Sequence, residues 1–181
     1  MNFITRTLGE LCKEKGSYGL SEPAIDYEPN SYRYIRISDI TDDGFLSNVD
    51  LKSVESDKLD TYLLKKNDIV FARTGNSTGR NYFFCGYEGK CVYAGFLIKF
   101  SIDERIVNPL YVKYYCKSPM YRDWVCSFNT GSTRGNINAN TFAQLPIRIP
   151  PRKEQDRIVA VMNSLENKML TNKALNDNLA A

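Results

Sequence analysis

The pattern of apolar and polar residues changes once along the chain, close to residue 150. Before that point, short apolar runs alternate with segments that contain glycine and proline, a pattern typical of short strands, helices and turns. From residue 152 onward, glycine, proline and aromatic residues are absent, and apolar residues recur at helical spacing. The sequence therefore predicts one domain over residues 1–150, followed by a helix within residues 151–181.

The clearest strand signal in the domain is the apolar, β-favouring run at residues 69–72. Residues 95–100 have the continuous apolar character of a buried strand. Further strands are predicted at 32–37, 82–85, 91–100 and 147–149, and short helices at 110–117 and 120–128, each after a capping residue and a proline. Residues 16–31 are predicted to form a loop that contains Tyr18 and Tyr27.

Residues 152–179 show a heptad-like stripe of apolar residues along one predicted helix. The stripe consists of Ile158, Met162, Leu165, Met169 and Leu179, with Asn172 and Asn176 at two polar positions. Such a helix is about 42 Å long at ~1.5 Å per residue, which is too long for a domain of this size to bury. We therefore expect an assembly helix that projects and pairs with another helix, and an ordinary core helix is the alternative.

Two polar segments, each bracketed by two glycines, stand out among the predicted loops. They combine arginine, asparagine, serine and threonine, the side chains that contact phosphates and base edges. The candidate binding residues are Arg73, Thr74, Asn76, Ser77, Thr78 and Arg80 in the first loop, and Ser132, Thr133, Arg134 and Asn136 in the second. A plain hairpin loop is the alternative for the first segment. Because it lacks the Gly-Lys-Ser/Thr ending of a P-loop, the first segment does not indicate nucleotide binding.

Composition narrows the possible classes of function. The chain of 181 residues is 43% hydrophobic and has a formal net charge of +3, which is compatible with nucleic-acid binding without demonstrating it. It contains no histidine, which removes the commonest general base and nearly all histidine-containing metal sites. Five cysteines without Cys-x-x-Cys spacing indicate reduced side chains in the cytoplasm. No apolar run is long enough to span a bilayer, so we expect a cytoplasmic protein without membrane association.

Two other classes of function remain open at this point. Asp68, Glu88 and Lys90 fit the two-carboxylate-plus-lysine pattern of a metal-dependent nuclease, although such spacing is common by chance. Cleavage of DNA by the pure chain with a divalent metal would favour this alternative. A protein–protein scaffold that uses the helix alone is the other, and a complete loss of DNA binding at low salt would favour it.

Four segments resemble the specificity (S) subunits of Type I restriction–modification systems. The last of them, a Pro-Pro-x-x-Glu-Gln entry into a long helix, is the most specific, and together they span most of the chain. They are Tyr34-Ile35-Arg36-Ile37-Ser38-Asp39-Ile40, Asn67-Asp68-Ile69-Val70-Phe71-Ala72-Arg73-Thr74-Gly75, Asn138-Ala139-Asn140-Thr141-Phe142-Ala143-Gln144-Leu145-Pro146-Ile147 and Ile149-Pro150-Pro151-Arg152-Lys153-Glu154-Gln155.

The resemblance implies a target recognition domain, an α/β unit that binds DNA, followed by a spacer helix. Pattern and resemblance together predict a mixed α+β fold with a twisted, mostly antiparallel sheet, short helices and one long coiled-coil helix. Family members usually carry two such units, each reading half of a bipartite site. This sequence has one unit, so we expect a natural half-subunit or the N-terminal half of a longer protein.

The resemblance also implies a non-catalytic chain with defined partners. These are double-stranded DNA, modification (methyltransferase) subunits, restriction subunits and, for a half-subunit, a second copy bound through the C-terminal helix. S-adenosylmethionine, Mg²⁺ and ATP are expected only in the partner subunits. Among the arginines, we expect Arg80 or Arg134 to read a base and Arg73 to bind a phosphate or form an internal ion pair. If the two loops do not bind DNA, the loop around Tyr18 and Tyr27 is the next candidate.

Overall fold

A computed structural model of the chain describes residues 2–87, 89–128 and 135–179. Within these ranges it contains ten short strands and four α-helices. The strands are Ile4–Thr7 (β1), Ser17–Tyr18 (β2), Ile25–Asp26 (β3), Arg33–Ile35 (β4), Lys52–Ser53 (β5), Asp68–Ala72 (β6), Asn81–Phe84 (β7), Cys91–Tyr93 (β8), Leu97–Ser101 (β9) and Pro146–Ile149 (β10). The helices are Pro109–Tyr115 (α1), Pro119–Cys126 (α2), Ala139–Ala143 (α3) and Arg152–Leu179 (α4).

A four-stranded antiparallel sheet with the order β2-β9-β6-β7 forms the centre of the domain. Strand β6 pairs on one side with β7, with Ile69 opposite Phe83, and on the other with β9, with Ile69 opposite Phe100. Three two-stranded pairs surround this sheet: β1 with β10, β3 with β5, and β4 with β8, of which the last is parallel. The mixed, mostly antiparallel fold with short helices and one long helix is thus confirmed.

Strand β6 is buried on both faces, which explains its continuous apolar sequence. Ile69 and Phe71 face the larger core, where the Phe71 ring stacks on Phe142 of α3 with ring centroids 4.8 Å apart. Val70 and Ala72 face a smaller core on the other side of the sheet. The strand therefore holds the loop that follows it in a fixed position relative to both layers.

The predicted strand at 32–37 is shorter in the structure because its last residues turn. Ile37–Asp39 form a 3₁₀ turn. The Asp39 carboxylate accepts hydrogen bonds from the Arg36 backbone N–H at 2.8 Å and from the Arg36 Nη2 at 2.7 Å. This short-range ion pair ends the strand after Ile35, while the half-buried Ile37 still packs against the core that contains Ile35.

The two short helices begin as their capping residues predict. The Asn108 side chain accepts a hydrogen bond from the Leu110 N–H at 3.0 Å, and the Ser118 hydroxyl accepts one from the Tyr121 N–H at 3.3 Å. Each pairs one of the backbone donors that a helix start leaves without a partner.

The first residues of α4 are fixed to the domain by Gln155, the glutamine of the Pro-Pro-x-x-Glu-Gln segment. Its side chain is buried; Oε1 accepts a hydrogen bond from the Asn108 N–H at 2.8 Å, and Nε2 donates one to the Pro150 carbonyl at 2.9 Å. One side chain therefore connects the end of β10, the start of α1 and the first turn of α4.

A second attachment of α4 lies at Glu166, about 16 Å further along the helix at ~1.5 Å per residue. Its carboxylate accepts hydrogen bonds from Lys113 and, at 2.9 Å, from Lys117. Tyr114 donates to Asn163 of the same helix at 2.5 Å. Burial opposes the charge of Glu166, but the two lysines hold its pKa below the usual value.

The apolar stripe of α4 divides into two parts. Ile158 and Met162 are half-buried and pack against the domain core, whereas Leu165 and Met169 are 52% and 61% exposed. The side chain of Leu179 lies outside the described residues. The helix thus uses the start of its stripe within the domain and leaves the middle uncovered. Along the described ranges, no helix combines the length and apolar character that a membrane span requires.

Candidate nucleic-acid interface

One end of the four-stranded sheet collects the segments with binding side chains. Here β6 ends at Ala72, while β7 and β9 begin. The Arg73 N–H donates to the Phe96 carbonyl at 3.1 Å, and the Gly79 N–H donates to the Ala72 carbonyl at 2.9 Å. Both ends of the loop 73–80 are therefore tied to strand residues, and the loop projects from a buried scaffold.

The two glycines of this loop are needed for different structural reasons. Gly75 has φ +73° and opens a 3₁₀ turn, while Gly79 has φ +88°. A Cβ atom on Gly79 would lie 2.5 Å from Val125 Cγ1, so both conformation and space require glycine there. The Gly79 carbonyl accepts a hydrogen bond from the Tyr121 hydroxyl at 2.6 Å, which holds the loop against α2.

The described end of the second glycine-bracketed segment, Gly135 and Asn136, lies directly beside the first segment. Thr74 and Asn136 form an isolated antiparallel bridge, and the Ile137 N–H donates to the Arg73 carbonyl at 2.9 Å. The Thr78 hydroxyl is 2.9 Å from the carbonyl of Gly135. Three of the predicted residues, Ser132, Thr133 and Arg134, lie outside the described residues.

Tyr18 belongs to the same surface, although the sequence suggested its loop only as an alternative site. The Arg73 guanidinium carbon lies 5.1 Å from the centroid of the Tyr18 ring, within the range of a cation–π contact. The Tyr18 hydroxyl accepts a hydrogen bond from the Ala139 N–H at 3.2 Å. Tyr27 follows β3, which pairs with β5 outside this sheet. Tyr18, the first loop and the described end of the second loop therefore form one candidate interface.

Arg73 and Arg80 have different surroundings. Arg80 Nε contacts the Asp42 carboxylate at 2.7 Å, and Nη1 donates to the Ile40 carbonyl at 3.3 Å. Within the described ranges, Arg73 contacts no carboxylate, and its buried Nε has no hydrogen-bond acceptor. Because Asp42 is 83% exposed, its pair with Arg80 contributes only ~0–1 kcal/mol, and a DNA phosphate is able to compete with it.

One exposed side chain of the interface, Phe96, was predicted from the sequence to be buried. Asn76 and Asn136 are exposed, while Thr74, Ser77 and Thr78 are half-buried. Phe96, predicted to lie in a buried strand, instead occupies the turn before β9 and is 59% exposed. Gly95 was the available signal, since glycine inside an apolar run often marks a turn or a close backbone approach.

The residues of the nuclease alternative do not form a site at this interface. Asp68 lies at the opposite end of β6, is 2% exposed and accepts a hydrogen bond from the Lys65 N–H at 2.8 Å. Burial raises its pKa. The Lys90 ammonium lies over the Tyr32 ring at 5.3 Å, and Glu88 falls outside the described residues. The described ranges contain no cluster of three or more potential metal ligands among histidine, cysteine, aspartate and glutamate.

Comparison with known proteins identifies the same family that the four sequence segments resemble. A model of the family described as Type I restriction modification DNA specificity domain matches residues 2–181. The Type I restriction enzyme StySPI specificity subunit of Salmonella potsdam is 25% identical over 162 residues, which are 84% of this chain and 34% of that protein. The chain thus spans about a third of this curated relative's length.

Solved structures of S subunits have the same fold. The HsdS subunit from Thermoanaerobacter tengcongensis aligns with a TM-score of 0.64 at 16% identity, over 93% of this chain and 38% of that chain. The Type I S subunit from M. genitalium aligns with a TM-score of 0.63 at 17% identity, over 94% and 41% respectively. At these identities, the structures establish the fold.

Proposed function

Because the chain belongs to the family of Type I restriction modification DNA specificity domains, we propose that it reads one half of a bipartite DNA target. In this role it directs a Type I restriction–modification complex to its site. The proposal assigns residues 1–150 to target recognition and residues 151–181 to spacing and assembly. It also places the protein in the cytoplasm, with double-stranded DNA as its ligand.

One observation carries this proposal: an unpaired arginine sits where three separate segments meet. Arg73 has no carboxylate partner in the described part of the chain, although it is half-buried and held against Tyr18. Asn76 and Asn136 present amide groups nearby, on the two loops that the Thr74–Asn136 bridge joins. Such a surface offers a fixed cation for a phosphate and amides for base edges.

The surroundings of the two arginines separate their proposed roles. Arg73 is fixed by its backbone and by the Tyr18 ring, so we assign it to a phosphate whose position does not depend on sequence. Arg80 lies at the end of the loop and forms an ion pair with the exposed Asp42. DNA can therefore replace Asp42 as the partner of Arg80. We therefore keep Arg80, together with Arg134, as the candidates for reading a base.

Binding of the full chain to DNA tests these assignments. A consensus is first selected from a randomised duplex library, and affinities for the selected and a random duplex are measured at several salt concentrations. For Arg73→Ala we expect weaker binding to both duplexes and a salt slope flattened by about 1. For Arg80→Ala we expect a cost of roughly 1–3 kcal/mol on the selected duplex and relaxed preference at one position.

Arg157→Ala provides the matched control, because Arg157 lies on α4 and its partner Glu154 is on the same helix. If Arg73→Ala and Arg80→Ala both bind as Arg157→Ala does, this end of the sheet is not the DNA-binding surface. If the wild-type chain selects no consensus at all, the proposed function itself is wrong.

The chemistry of the complex is proposed to reside in partner subunits. Methylation and cleavage would belong to the modification and restriction subunits, which would bind S-adenosylmethionine, Mg²⁺ and ATP. The present chain would contribute the DNA-binding surface and the helix on which those subunits assemble. This division agrees with the description of the matching family as a specificity domain.

The exposed part of the α4 stripe is proposed to pair with a second copy of the chain. Leu165 and Met169 of this stripe are each more than half exposed. Large apolar side chains in a row on one helix are typical of a coiled-coil seam. A two-fold dimer of one-domain units would read a palindromic bipartite site, since its symmetry is matched by that of the DNA.

A further inference from the structure

Phe96 is a large apolar side chain displayed at the tip of a tight turn in the candidate interface. The turn spans residues 94–97 and is closed by a hydrogen bond from the Leu97 N–H to the Ala94 carbonyl at 2.8 Å. The Phe96 side chain is 59% exposed. Exposure of single apolar residues is common, so the surroundings of this residue decide whether it has a role.

The backbone on both sides of Phe96 is held firmly. Its carbonyl accepts the hydrogen bond from the Arg73 N–H, and the Leu97 carbonyl accepts one from the Gly19 N–H at 3.2 Å. Gly19 packs so closely that a Cβ atom there would lie 2.3 Å from the carbonyl oxygens of Tyr93 and Ala94. The ring is therefore presented from a pre-organised turn, and little further ordering is needed for it to contact a ligand.

Four polar side chains lie at the same end of the sheet as Phe96. Arg73, Thr74, Asn76 and Asn136 offer hydrogen-bond donors and acceptors, which suit phosphates and the polar atoms of base edges. The aromatic ring cannot serve either group. The apolar group that base edges present in the major groove is the C5-methyl of thymine.

We infer that Phe96 contacts the C5-methyl group of a thymine in the target and contributes to its selection. This inference rests on the proposed function and adds a residue and a base to it. The hydrogen bond from the Arg73 N–H to the Phe96 carbonyl holds the backbones that carry the phosphate contact and the apolar contact side by side. The two contacts would therefore fall at a constant spacing on the DNA.

Replacement of thymine by uracil tests the inference, because it removes only the methyl group. The full chain is first used to select a consensus from a randomised duplex library. Affinities are then measured for the selected duplex and for duplexes in which each thymine in turn is replaced by uracil. At one position we expect about a fourfold loss for the wild type, the size typical of one apolar carbon removed from contact.

In Phe96→Ala, that same replacement should have no effect, while the other thymine positions should behave as in the wild type. Phe96→Leu should retain part of the effect, because an apolar side chain remains. Tyr87→Ala is the control, since Tyr87 is 87% exposed but follows β7 at the opposite end of the sheet.

The outcomes separate the inference from the proposed function. One outcome is that the wild type selects a consensus while replacement of thymine by uracil lowers the affinity of Phe96→Ala as much as that of the wild type at every position. In that case the inference is wrong and the proposed function stands. The same holds if Phe96→Ala weakens all duplexes equally, since the ring then contacts the sugar–phosphate backbone. If no consensus is selected, the proposed function fails first.

Discussion

The glutamine that begins the long helix gives the sharpest prediction about stability. Gln155→Ala removes both hydrogen bonds of a buried side chain and leaves the Asn108 N–H and the Pro150 carbonyl without their partners. Each buried group left unsatisfied costs ~1–3 kcal/mol. Because the helix starts near the surface and water can reach one of the two groups, we expect a total loss of about 2–4 kcal/mol.

The size of the effect is large enough for simple measurements. For a chain of this length, 1 kcal/mol lowers the melting temperature by ~2–4 °C, so Gln155→Ala should lower it by roughly 4–16 °C. Lys153→Ala, an exposed substitution in the same helical turn, should change it by no more than about 2 °C.

Two probes show whether the helix detaches before the domain unfolds. The single tryptophan, Trp124, lies in α2 with its ring 5.9 Å from that of Phe142, so its fluorescence follows the core. Far-ultraviolet circular dichroism follows α4, the longest helix in the described part of the chain. For Gln155→Ala we expect the circular dichroism transition to come at lower urea concentration than the fluorescence transition. If Gln155→Ala and Lys153→Ala unfold alike by both probes, the glutamine does not hold the helix.

Three further predictions concern the acid range, assembly and catalysis. The folded-state pKa of Glu166 lies below its usual value of 4.5, so its ion pairs stabilise the fold fully above that pH and are lost as the pH falls through the folded-state pKa. Unfolding free energies measured between about pH 3 and 7 should therefore decline towards low pH in the wild type, and the decline should be smaller in Glu166→Gln, where other paired carboxylates such as Asp103 still become protonated. Replacement of both Leu165 and Met169 by aspartate should give monomers in sedimentation velocity and prevent binding to the modification subunit. A wild-type chain that remains monomeric at high concentration would contradict this. The isolated chain should neither methylate nor cut DNA, so metal-dependent cleavage that Asp68→Ala abolishes would refute the specificity-subunit role.

Elements defined by short-range chemistry could be predicted from the sequence. The capping asparagine and serine, each followed by proline, located the starts of α1 and α2, because a cap and its helix lie within a few residues. The start of α4 at Arg152 follows from the last proline, Pro151. The predicted strand around β6 is also confirmed, since a strand buried on both faces needs an unbroken apolar run.

Contacts between distant parts of the chain could not be predicted in the same way. Arg73 stacks on Tyr18, which is 55 residues earlier, and Arg80 pairs with Asp42. Nothing in the local pattern around either arginine indicates these partners. The parallel pairing of β4 with β8 is likewise set by the packing of the whole domain. Local sequence thus predicts candidate binding loops, and the fold determines which of their described side chains remain available for a ligand.

The proposed recognition loop and the proposed assembly helix line the same cavity. A cavity of about 360 Å³ is lined by Gly79 and Arg80 from the first loop and by Met162, Glu166 and Met169 from α4. A helix attached at Gln155 and again at Glu166 cannot tilt or rotate without losing one attachment. The distance from the loop to the exposed stripe is therefore fixed by the domain itself. If the proposed dimer forms, the spacing between two half-sites on DNA then depends on the helix pairing and not on movement within either domain.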